Sequence, residues 1–148
     1  MTTMTAQTTQ VYSVFIKATP EQIWDAITKP EFTQKFFYGQ RVENTAERHL
    51  WHAADGTLRG DSPTIEFEPP HRLVHGWSSS YDEEMAAEPE SRVTWEIEAQ
   101  EGGYSLLTVV HDRLDGSPKT AASVAGVGWM MVLSGLKTLL ETGKPLVD

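Results

Sequence analysis

Residues 117–143 limit the folds open to this chain more than any other stretch of it. Trp129, Leu133, Leu136 and Leu140 recur at helical spacing, with Ala125 and Val132 on the flank, so they make one apolar stripe. Ser134, Lys137 and Glu141 fall on the opposite face, the last two spaced to pair along a helix. Ser117 followed by Pro118 suits a capped first turn, and Gly143 with Pro145 stops the pattern. The spacing predicts one long amphipathic helix over 117–143. A stripe that wide needs a large apolar surface to cover it, and the upstream sequence reads mainly as strands. The covering surface is therefore a sheet curled around the helix, an arrangement that leaves room for a pocket between the layers.

Residues 11–17 are rich in β-branched and aromatic side chains and predict a first strand. Thr19-Pro20-Glu21-Gln22 is a capping box with proline at the first helical position, and Ile23, Trp24 and Ile27 form the apolar side of a short helix. Pro30 starts a second one, through Phe32 and Phe36, and Gly39 ends the pair. From Gln40 to His111 the period changes to two. Segments 41–43 and 48–52 flank an Asn44-Thr45 turn, and Asp55-Gly56 signals a hairpin. In 64–68, Ile65 and Phe67 share a face, as do Leu73, His75 and Trp77 in the next strand. An acidic connection over 78–90 reads as a solvated loop, with a lid as the sharper alternative. Val93, Trp95 and Ile97 alternate cleanly with polar neighbours, and Gly102-Gly103 turns that strand into one carrying Leu107, Val109 and His111.

A chain of 148 residues with no cysteine can build a core but no disulfide, thiolate nucleophile or cysteine metal site. The net charge of −9, with arginines scattered rather than clustered, argues against nucleic acid or an anionic membrane as partner. Residues 1–9 read as a flexible tail without an apolar signal region, and 10–148 as a single domain. No apolar run reaches membrane-spanning length, and the expected location is cytoplasmic.

Several strings, in order, resemble the START-like (SRPBCC) superfamily, in particular the branch named for the activator of the heat-shock protein 90 ATPase. They are Ala18-Thr19-Pro20-Glu21-Gln22-Ile23-Trp24 with Thr28-Lys29-Pro30-Glu31, and Glu68-Pro69-Pro70-His71-Arg72-Leu73-Val74 ending in Trp77. Ser91-Arg92-Val93-Thr94-Trp95 and Leu107-Thr108-Val109-Val110-His111 follow, then Gly128-Trp129, Leu133, Leu136-Lys137 and Leu140-Glu141. The resemblance implies an α+β helix-grip (START/Bet v-like) fold: a curved antiparallel sheet around a long C-terminal helix, with two short helices after the first strand. It also implies functions as different as small-molecule carriage, polyketide cyclisation and co-chaperone action, because fold does not fix function.

On this reading Phe36, Phe37, Phe67, Trp77, Trp95, Val109, Trp129 and Leu133 line an apolar cavity that holds a small apolar or aromatic molecule. His75 and His111 fall on inward faces; each is either a neutral core histidine or an acid–base group of a cyclase, dehydratase or hydrolase working without metal or nucleotide cofactor. Asp112 should point away from His111, as strand neighbours do. His49 and His52 have a spacing that suits a metal on a helix, but on a strand they face opposite ways, so no metal or other cofactor is expected. Val124, Val127 and Met131 stand off the core stripe, where a homodimer interface would cover them. There is no nucleophile elbow, phosphate loop or dinucleotide fingerprint.

Overall fold

A computed structural model describes residues 8–78, 82–125 and 127–147. It shows seven strands in one antiparallel sheet: β1 (Gln10–Ile16), β2 (Arg41–Asn44), β3 (Arg48–His52), β4 (Leu58–Glu68), β5 (Arg72–Trp77), β6 (Ser91–Gln100) and β7 (Tyr104–Asp112). The helices are α1 (Pro20–Thr28), α2 (Pro30–Thr33), α3 (Glu83–Ala87), α4 (Pro118–Val124) and α5 (Val127–Thr142). Strand order is β1-β7-β6-β5-β4-β3-β2, so β1 and β2, consecutive in the chain, form the two outer edges. The α1–α2 segment links those edges across the concave side of the curled sheet, and α5 lies against the same side. This is the helix-grip architecture.

Each local signal has a visible cause. Thr19 and Gln22 form the reciprocal capping box at α1, at 3.2 and 2.8 Å. Strand alternation sends Leu73, His75 and Trp77, then Val93, Trp95 and Ile97, then Leu107, Val109 and His111 into one core. From α5 that core takes Trp129, Val132, Leu133, Leu136 and Leu139. Leu140 packs only partly against it.

The single helix over 117–143 is in fact two, α4 and α5, bent by 41°. Ala125 leaves the helical region, with ψ at 145°. The 3.6-residue period runs through both halves, but β-branched and glycine residues around the joint make it the weakest place to continue a helix. Nor does Ser117 cap α4 with its side chain: its hydroxyl donates to the Pro89 carbonyl at 2.7 Å. The Glu88 carboxylate caps instead, accepting from the Lys119 and Thr120 amides at 2.8 and 2.9 Å.

The acidic connection also contains a short helix, α3. Asp82 caps α3 through the Met85 amide, and Lys119 pairs with Asp82 and Glu84. The lid expectation falls partly on residues 79–81, outside those described. In β4, a register irregularity between Thr64 and Glu66 breaks the alternation. Ile65 is therefore 52 % exposed, while Phe67 packs edge-on against Trp24. Among the described residues no single helix is long and apolar enough to cross a membrane.

Candidate functional site

The site is built where β3, β5, β6 and β7 face α5. Register places His75 opposite Val93 and Val93 opposite His111, so the two histidines occupy one cross-strand row on either side of a valine. Both are fully buried, and both have their two ring nitrogens engaged. His75 Nδ1 donates to the Gly76 carbonyl at 2.7 Å, and Nε2 accepts from the Trp95 indole at 3.0 Å. His111 Nδ1 accepts from the Trp129 indole at 3.2 Å, and Nε2 donates to the Ser91 hydroxyl at 2.8 Å. The partners thus assign a neutral tautomer to each ring. Burial holds His75 down at about 4, and burial aided by the nearby His75 holds His111 at about 3.

His49 enters from β3 and stacks on His75, ring centroids 3.8 Å apart and planes within 9°. Its Nδ1 bonds the Asn44 amide oxygen at 2.6 Å, while the Asn44 nitrogen donates to the Ile27 carbonyl at 2.8 Å. Burial, reinforced by His75, pushes the His49 imidazole well below its usual range. All three rings are uncharged at neutral pH.

Trp77 is the centre of the aromatic cluster. It stacks on Trp51 and His49 at 5.9 and 5.7 Å and meets Trp129 and Phe37 at 5.9 and 6.2 Å. Trp51 lies over the backbone of β4 at Gly60, where a Cβ would come within 1.7 Å of the indole nitrogen; only glycine leaves room for the ring. Between this cluster and the α4–α5 joint is a cavity of about 290 Å³. Phe37, Tyr38, Trp51, Trp77 and Trp129 form its aromatic wall, and Val124, Gly128 and Val132 add an apolar one. Its polar side chains are Gln40 and Ser123, and none of its lining residues is charged. Tyr38 closes one side by donating its hydroxyl to the Gly128 carbonyl at 3.0 Å. A larger hollow of about 530 Å³ lies outside the sheet–helix layer, between Phe36, Met131 and the Pro145–Val147 tail segment, with Lys35 at its rim.

Of the residues singled out from sequence, Phe37, Trp77 and Trp129 reach the cavity wall. Phe36 lines the outer hollow, while Phe67, Trp95, Val109 and Leu133 pack in or against the core. His75 and His111 stand behind the wall, tied to tryptophans. Asp112 faces away from His111 and forms a two-point pair with Arg92, as strand geometry requires. His49 is buried and His52 half-buried on the other face, and no group of three metal-binding side chains occurs among the described residues. Val124 lines the cavity and Met131 the outer hollow, so of the expected interface residues only Val127 is largely exposed, at 68 %. Sequence reasoning missed Trp51, Tyr38 and the role of His49. The i, i+2 spacing of His49 and Trp51 on one strand face was the available signal.

A curled antiparallel sheet gripping a C-terminal helix around an apolar hollow defines the START-like class. Within it the chain belongs to the family described as activator of Hsp90 ATPase homolog 1-like proteins, whose model matches residues 17–141. Solved structures agree on the fold. Protein MLL2253 from Mesorhizobium loti is 22% identical with a TM-score of 0.72, covering 90% of this chain and 96% of its own. The Aha1 dimer from Colwellia psychrerythraea is 18% identical with a TM-score of 0.71, covering 93% and 99%. DynU16, a protein of the dynemicin biosynthetic locus, is 25% identical with a TM-score of 0.73; the match covers 94% of this chain and 49% of that one. No curated protein matches the sequence.

Proposed function

We propose that this protein binds a small, mainly apolar or aromatic molecule in the cavity between the sheet and the α4–α5 helices. The observation that carries the reading is the cavity wall itself: five aromatic side chains from four separate parts of the chain converge on it, and no charged group joins them. A multiply charged ligand would be stripped of water there without partners. The engagement of both nitrogens of His75 and of His111 inside the protein favours binding over acid–base chemistry by these two rings, since a ligand would have to displace a tryptophan or Ser91 to reach them. Self-association is a separate proposal, supported by the exposed Val127 and Met130 on α5, and sedimentation at two concentrations tests it.

Tryptophan emission and melting temperature, followed across a panel of apolar and aromatic compounds, test the binding reading. Three of the cavity's wall residues are tryptophans, so an occupant should shift or quench the emission and raise the melting temperature. A panel that changes neither would overturn the proposal.

A further inference from the structure

The inner cavity and the outer hollow share one lining residue among those described, Tyr38. Trp77, Gly128 and Val132 lie on the cavity side of it, and Phe36, Met131 and Gly135 on the outer side. The local backbone does not favour a tyrosine at this position. The Gln40 amide donates to the Phe37 carbonyl at 3.0 Å, and the two residues between, Tyr38 and Gly39, are both left-handed, at φ 56° and 74°. A turn with two left-handed central residues calls for asparagine, aspartate or glycine at the first of them, and a tyrosine there is strained. Nor is the ring kept for burial, since Tyr38 is 57 % exposed. What a tyrosine adds is reach: its hydroxyl donates to the Gly128 carbonyl at 3.0 Å, which ties the ring to the first turn of α5.

We propose, resting on the small-molecule reading above, that Tyr38 sets the length of ligand this protein accepts. Its ring is the partition that ends the aromatic cavity and shuts it off from the outer hollow. The ligand is therefore a compact molecule of one or two rings, and molecules carrying a long chain are excluded. Size agrees: a dry cavity of about 150 Å³ holds benzene, and the inner cavity, at about 290 Å³, has room for one further ring or a short side chain. The outer hollow, at about 530 Å³ and lined by Phe36, Met131 and Leu146, has the size and apolar wall for a longer chain. With Tyr38 tied to Gly128, a ligand seated against Trp77 and Trp129 has no path into it.

The test uses the full chain and four phenyl ketones of rising length: acetophenone, butyrophenone, hexanophenone and octanophenone. Calorimetry reads their affinity. Each methylene that enters an apolar site should tighten binding by about fourfold. In the wild type that gain should stop within the series, so that octanophenone binds no more tightly than butyrophenone. Tyr38→Gly removes the ring and suits the left-handed backbone. In that variant the gain should continue, with octanophenone at least about tenfold tighter than butyrophenone. The methyl resonance of Met131, in the outer hollow, gives a second reading. Octanophenone should move it in Tyr38→Gly and leave it still in the wild type. Should the variant fail to fold, the wild-type series and the wild-type Met131 resonance still decide. A wild-type series that tightens through to octanophenone, a Met131 shift in the wild type, or a Tyr38→Gly series that stops where the wild type stops would overturn the partition while leaving a binding cavity. Failure of all four ketones to bind either protein would overturn both.

Discussion

Mild acid should destabilise this protein through its histidines before its carboxylates. In the native state His75 and His111 are held at about 4 and about 3, and His49 is also pushed down by burial. In the unfolded chain each returns to about 6.5. Below that value the unfolded state binds more protons than the native state, so stability must fall as pH falls. The contribution is fully present above about pH 6.5 and drains away down to the native values. At about pH 5 almost every unfolded imidazole is charged, while His75 and His111 in the fold remain mostly neutral. Each then contributes a loss of about 2 kcal/mol relative to pH 7.5, about 4 kcal/mol for the two. His49 adds to it in the same direction. That is a large share of the roughly 5–15 kcal/mol that a domain of this kind commands. Asp55, Asp82, Glu88, Asp112 and Glu141 are also lowered. Their loss belongs to the carboxylate range near pH 4, so stopping at about pH 5 isolates the imidazoles. Urea unfolding followed by tryptophan emission at half-unit steps from about pH 7.5 to 5 measures the effect. A flat profile, or stability that rises on acidification, would refute the neutral, bonded histidines.

Other substitutions probe separate parts of the fold. Trp95→Phe strands His75 Nε2 in the core and leaves a void, which should cost about 2–4 kcal/mol in denaturation. Gly60→Ala forces the buried Trp51 ring off β4 and should cost about 2–3 kcal/mol, with a change in tryptophan emission that an unaffected site would not show. Leu136→Ala should cost about 2–5 kcal/mol, against about 0.5–1 kcal/mol for Lys137→Ala. The lysine value is not zero because Nζ ties α5 to the Phe15 carbonyl on the edge strand. Glu88→Gln should loosen α4 by about 1 kcal/mol, seen as faster amide exchange at Thr120.

The parts of this architecture that could be read from sequence are those set by neighbours a few residues apart. Alternation in β6 and β7 and the capping box at α1 are properties of one segment each, and they appear as expected. The break at Ala125 does not, because a helical period says which side is apolar and not whether the backbone stays continuous. Glu88 caps a helix 30 residues further on, through a contact no local pattern encodes. Ile65 escapes from its strand face because one register irregularity undoes a period of two. The candidate site is harder still. His49 owes its significance to Asn44, to His75 on another strand and to Trp77 beyond it. Alone on β3 it looks like any inward-facing residue.

The placing of β1 and β2 at opposite edges also sets the order in which this protein can come into being. β1 precedes every other strand, yet among the described residues its strand partner is β7, and Gln10 waits for His111. Nearly the whole sheet must therefore be synthesised before the first strand can pair, which makes this the slowest closure in the fold. Val11 and Phe15 belong to that waiting segment and remain outward-facing once it docks. A nascent chain held at this stage carries an open strand that can join another copy of itself. The cavity is walled in part by α4 and α5, which follow β7 in the chain, so the hollow exists only once both helices have packed onto the sheet.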